Sequence, residues 1–136
     1  MTLTQLVRLV LTTDAAVSAL ASDRVYLEVA PADLRNPFIV FEVLSDEPEV
    51  TMSGTSDPRR VTVEVTCWAS RRRDARALGK AVYERLRDYS GGAQGLAIDA
   101  VIAGSDRWDY DGSTQLHMAT RDYDLWVSGD DAGEET

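Results

Sequence analysis

Between Arg59 and Tyr89 the spacing of apolar residues changes period once, and the change predicts a strand that runs into a helix. Val61, Val63, Val65 and Cys67 alternate with Thr62, Glu64 and Thr66, the period of two expected of a strand buried on one face. Ser70 then offers a hydroxyl for a helix N-terminus. Ala75, Leu78, Val82, Leu86 and Tyr89 follow at steps of three and four, one apolar helical stripe. Ser90-Gly91-Gly92 supplies the expected stop. A strand feeding a helix that folds back on a sheet predicts an α+β domain.

The rest of the chain fits around this unit. Leu3, Leu6, Val7, Val10 and Leu11 trace a helical stripe, and Thr2 with Gln5 has the spacing of a capping box. Asp14 to Ala21 reads as a second short helix with an acid at its positive end. The two together read either as a cover for the sheet or as an exposed partner-binding segment. Arg24 to Val29 predicts a short strand with Val25, Leu27 and Val29 on one side, followed by a loop through Pro31 and Asn36-Pro37. Phe38 to Leu44 predicts a strand apolar on both faces, hence central or covered twice, with another protomer as one candidate for the second cover.

Ser45 to Arg60 is long for a hairpin connection. It reads as a mobile surface loop or as an extended hairpin reaching a neighbouring subunit. Leu96, Ile98, Ala100 and Ile102 suggest another strand, Asp111-Gly112 a turn, and Leu116 to Val127 the last strand. The expected fold is a mainly antiparallel sheet carrying an N-terminal helical segment and one long helix. Residues 1–128 are expected to form one domain, and 129–136 an acidic disordered tail.

Charge narrows the partners. Twenty-three acids against fourteen bases give a net charge of −9. Four of the acids, Asp130, Asp131, Glu134 and Glu135, lie in the tail, so the body is acidic as well. That disfavours a nucleic-acid backbone or an anionic membrane as main partner. Cys67 stands alone and reads as a small core residue, in keeping with synthesis in a reducing cytosol. No signal peptide is read at the N-terminus, and no apolar run approaches the ~20 residues of a spanning helix.

Catalytic patterns are missing. His117, the only histidine, falls within the last strand and reads as a surface residue without a partner for acid–base work. Asp106, Asp109 and Asp111 do not fit a calcium loop: with Gly112 as the loop glycine, Arg107 would take the first ligand position. No phosphate-cradling loop or nucleophile elbow appears. Neither an enzyme nor a cofactor or metal is expected.

Arg71, Arg72 and Arg73 are harder to place. They crowd the predicted first helical turn, where the macrodipole disfavours positive charge and Asp74 offsets only part of it. They are either solvated or matched to an acidic surface of a neighbouring copy, with Asp46, Glu47 and Glu49 as candidates.

In their order, these pieces resemble a known family. They are Asp14-Ala15-Ala16-Val17, Asp23-Arg24-Val25-Tyr26, Ala30-Pro31, Asn36-Pro37-Phe38-Ile39-Val40-Phe41 and the Asp46 to Gly54 hairpin. Arg59 to Ala69, ending Cys67-Trp68-Ala69, comes next, then Asp74-Ala75-Arg76-Ala77-Leu78, and Arg121 to Val127 closes the series. The set is similar to the small tail terminator, or tail completion, proteins of long-tailed bacteriophages and prophages. The resemblance spans roughly residues 3 to 127.

It implies an α+β, non-enzymatic virion protein made in the host cytoplasm and placed at the head–tail junction. Such proteins form a hexameric ring that caps the tail tube, ends its polymerisation and receives the filled head. The implied partners are further copies of the chain, the tail tube protein and a head completion or connector protein. DNA passes through the ring without sequence-specific contact, and no membrane is involved. Loop length and charge single out Asp46, Glu47, Glu49, Val50, Met52, Arg71, Arg72 and Arg73 as subunit or tail-tube contacts. The alternatives are another head–tail connector, a tail-tube protein, or a small-ligand-binding domain.

Overall fold

The computed structural model describes residues 1–32, 34–51 and 54–129. Among these residues three helices and six strands follow the order α1 (Leu3–Thr12), α2 (Ala15–Ala21), β1 (Val25–Leu27), β2 (Phe38–Thr51), β3 (Gly54–Ala69), α3 (Arg72–Leu86), β4 (Gly91–Ala93), β5 (Leu96–Asp111) and β6 (Leu116–Gly129). The strands form one curled sheet in the order β1-β2-β3-β6-β5-β4, antiparallel except where β1 pairs with β2. The fold is α+β, as the periodicities predict.

The helices cover one face of the sheet. Val61, Val63, Val65, Cys67 and Ala69 of β3 point to that face and are buried, together with Ala119, Tyr123, Leu125 and Val127 of β6. The stripes of α1 and α3 close over them: Leu6, Leu11 and Leu78 are at most 1% exposed. Each such leucine contributes about 1.5–3 kcal/mol of burial. At Gly79, α3 comes so near β6 that an added Cβ would lie 3.3 Å from that of Ala119. Both N-terminal helices are therefore core cover, and no single described helix is long and apolar enough to cross a membrane.

Local chemistry sets the ends. Thr2 and Gln5 form the full capping box: the Gln5 amide donates to Thr2 Oγ1, and the Thr2 amide donates to Gln5 Oε1 at 2.9 Å. Asp14 caps α2 by accepting from the Val17 amide. Thr2→Ala is expected to cost about 0.5–2 kcal/mol, read as a lower midpoint in urea unfolding.

Several predicted boundaries shift. Ser70 does not cap α3. Its amide donates to Asn36 Oδ1, and Arg71 takes the N-cap position with no side-chain bond. The helix ends at Leu86, before the glycines: Arg87 leaves helical geometry, and Asp88 turns the chain at φ 55°. An aspartate tolerates that left-handed conformation, so Gly91 and Gly92 are free to open β4. Tyr89 lies past the helix but packs against the core.

β1 stops at Leu27 because Glu28 takes φ 67°, which leaves Val29 76% exposed. In β5 the register slips between Ile98 and Ala100. The extra residue reverses the inward parity, so Val101 is buried and Ile102 is 60% exposed. The strand then runs through the predicted polar stretch to Asp111, and the Asp111-Gly112 turn follows it. Gly129 belongs to β6 and pairs with Leu96. The acidic stretch 130–136 lies outside the described residues.

Candidate functional site

The segment from Ser45 to Arg60 is a strand-paired hairpin. β2 and β3 stay paired from Ser45↔Thr62 out to Thr51↔Gly54, with register shifts between Val43 and Ser45 and between Pro48 and Val50. Two of the acids singled out by charge already have partners within it. Arg59 Nε lies 3.0 Å from Asp46 Oδ1, and an Arg60 terminal nitrogen lies 2.6 Å from Glu47 Oε2. Met52 is outside the described residues, as are the side chains of Glu49 and Val50.

Arg71, Arg72 and Arg73 are exposed at the start of α3. Arg76 and Lys80 continue the positive charge along the helix, so ten residues carry five cations and only one acid, Asp74. Among the described residues none of these five cations forms an ion pair. Arg76 instead sits 4.0 Å over the ring of Trp108, a cation–π contact worth about 0.5–1 kcal/mol at an exposed site. Arg121 lies over Tyr83 at 4.5 Å, donates to the Gly104 carbonyl at 2.7 Å, and approaches Asp106. The helix side of the sheet thus carries a cationic, aromatic patch on an acidic protein.

The opposite face has the other sign. Glu42 pairs in register with Glu64, and Glu64 with Asp122, so three carboxylates lie in a row across neighbouring strands. Like charges directly opposite one another repel. Arg107 reaches the last two, at 3.4 Å from Glu64 and 3.2 Å from Asp122, and no described cation pairs with Glu42. Asp124 accepts from the Thr62 hydroxyl at 2.7 Å.

This open face is also grooved. Parallel strands cannot be joined by a tight turn, and the described parts of the β1–β2 connection, Glu28 to Ala32 with Leu34 and Asn36, lie along the open face. They wall a groove of about 730 Å³ whose floor includes Phe38, Val40, Thr66, Trp68 and Leu116. Phe38 and Trp68 stack with ring centroids 5.9 Å apart. Trp68 Nε1 is buried there with no acceptor, a cost of about 1–3 kcal/mol for an unpaired polar group. The two-sided apolar pattern of β2 was the sequence signal for this groove. Glu28 and Trp68 carried none, because their position depends on the β1–β2 return and on strand register.

The residues considered for catalysis have structural occupations. His117 and Tyr110 are ring neighbours at 4.7 Å. Asp111 accepts from Thr114 and Ser113, and those bonds hold its carboxyl below the usual range. Asp106 accepts from the Trp108 indole at 2.8 Å. Cys67 is buried, and desolvation with the nearby Asp106 charge pushes its thiol far above its ordinary value, the reverse of what a nucleophile needs. A cationic helix end on one face and an acidic apolar groove on the other suit protein contacts better than chemistry on a substrate.

Comparison with known proteins agrees with that view. Residues 5–128 match the family model described as Tail completion protein gp17. No curated protein matches the chain in sequence. Among solved structures, a chain of the "Virion of native gene transfer agent (GTA) particle" superposes with a TM-score of 0.74 at 16% identity, covering 94% of this chain and 96% of that one. At that identity the likeness speaks for the fold.

Proposed function

Starting from a chain that belongs to the tail completion protein gp17 family, we propose that it closes a ring at the head-proximal end of a phage tail tube. Membership makes it a structural component of a phage tail. The finer reading is that the ring ends tube polymerisation and gives the head its docking surface, with no catalytic step. Its partners are then further copies of itself, the tail tube protein and a head completion or connector protein at the head–tail junction. The observation that carries this reading is the family match over residues 5–128.

The geometry supports it in kind. A ring needs heterologous contacts, in which two different patches meet and the rotation closes. This chain has unlike patches on opposite faces of its sheet, and a hairpin that extends β2 and β3. In this reading Arg71, Arg72 and Arg73 face a neighbouring subunit, and the hairpin stretch from Asp46 to Met52 contacts a subunit or the tube.

Native mass spectrometry with negative-stain imaging across a wide concentration range tests the proposal. A discrete six-membered ring is expected. Filaments would reassign the chain to the tube itself, and a monomer at every concentration would remove the ring.

A further inference from the structure

We propose that the acidic groove on the open face of the sheet receives the arginine-rich start of α3 from a second copy of this chain. The inference rests on the ring reading and names the surfaces that meet in it.

Among the described residues three carboxylates line the groove: Glu28, Glu42 and Glu64. Glu64 is engaged by Arg107. Glu28 and Glu42 are exposed and form no ion pair among the described residues. Arg71, Arg72 and Arg73 are the matching excess, exposed and likewise without an ion pair among the described residues. The hairpin carboxylates Asp46 and Glu47, by contrast, are occupied by Arg59 and Arg60. Charge complementarity therefore points from the arginines to the groove.

The floor suits a guanidinium. The half-buried Trp68 ring, backed by the stacked and buried Phe38, offers a flat surface on which arginine packs as lysine does not. Glu28 and Glu42 beside that floor can accept planar, charge-assisted hydrogen bonds. Trp68 itself is only half-buried, although its Nε1 is covered and lacks an acceptor among the described residues.

Direction completes the case. α3 packs on the face of the sheet that carries the core, whereas the groove opens on the other. Ser70, just ahead of the arginines, bonds to Asn36 at the groove's edge, so both patches sit at one end of the sheet, front and back. Docking the front of one copy on the back of the next uses each patch once per subunit. Repetition of such a contact generates a ring or a filament, not a two-fold dimer.

The test is a charge swap with complementation. One variant carries Glu28→Arg and Glu42→Arg, and the other carries Arg71→Glu, Arg72→Glu and Arg73→Glu. Assembly is followed by sedimentation and native mass spectrometry, and folding by circular dichroism. All five positions are exposed, so both variants should fold. Should the reversed groove fail to fold, Glu28→Gln with Glu42→Gln replaces it, with a partial loss of assembly expected. Each reversed variant alone should assemble at least about tenfold less well than wild type.

Mixed, the two variants should assemble again, because the helix of each matches the groove of the other, and the species formed should contain them in equal numbers. Wild-type rings that tolerate both reversals, or two defective variants that stay apart when mixed, would overturn the inference and leave the ring intact. A wild-type chain that never assembles would instead remove the ring reading, and this inference with it.

Discussion

Leu78→Ala is expected to destabilise the protein by about 2–5 kcal/mol, whereas Leu44→Ala should change stability by less than about 0.5 kcal/mol. Leu78 is 0% exposed on the inner stripe of α3, between Ala75 and Val82 and against the helix-covered face of the sheet. Removing its branched end loses transfer free energy and leaves a cavity. The neighbourhood cannot collapse easily, because α3 already touches β6 at the adjacent Gly79. Leu44 is just as apolar but is 49% exposed, at the register shift between Val43 and Ser45. For a chain of this length the Leu78 loss corresponds to a melting temperature lower by about 10 °C, while Leu44→Ala should melt with the wild type. Calorimetry on both variants separates the cases. Equal, small shifts would mean that α3 does not anchor the core.

That contrast also marks what the sequence makes legible. The stripes of α1 and α3 and the alternation of β3 are local signals, and burial follows them residue by residue. Features made by pairing between distant segments are not local. The bulge at Asp99 reverses parity in β5, so an alternation reading buries Ala100 and Ile102 where the molecule buries Val101. The hairpin beyond Ser45 is built from acids, prolines and serines with no strand-like apolar period. Cross-strand pairing and the Arg59 and Arg60 ion pairs accompany it instead. Ser70 reads as a cap because no local rule foresees that Asn36, thirty-four residues earlier, takes its amide.

The two charged patches are half legible in the sequence. The arginine run stands out in the sequence, as does the second apolar face of β2. The acids facing that face do not, since Glu42, Glu64 and Asp122 become neighbours only through the β2–β3–β6 register. Charge that looks scattered along the chain is therefore sorted by the sheet. Acid collects on the open face and arginine at the start of α3.

Alkaline pH should unfold the protein through two buried acids, Cys67 and Tyr123. Both are 1% exposed on the helix-covered face of the sheet, and desolvation raises both above their ordinary values of 9.0 and 10.0. For Cys67 the Asp106 charge adds to the rise. For Tyr123 the Arg121 charge opposes part of it. The unfolded chain ionises these groups first and so binds fewer protons than the folded one. Stability is then complete below about pH 9 and falls as pH rises, with a limiting slope of about 1.4 kcal/mol per unit for each group. By pH 11 the two together remove about 4 kcal/mol, a large share of the 5–15 kcal/mol typical of a folded domain. Urea unfolding at pH 8, 9, 10 and 11 measures the slope. Cys67→Ala should lower stability at pH 8 through lost packing yet flatten the fall between pH 9 and 10. Tyr123→Phe should flatten it only above pH 10. A wild-type slope unchanged by either substitution would place the titrating groups elsewhere, and would mean that the space under α3 admits water enough to ionise a thiol.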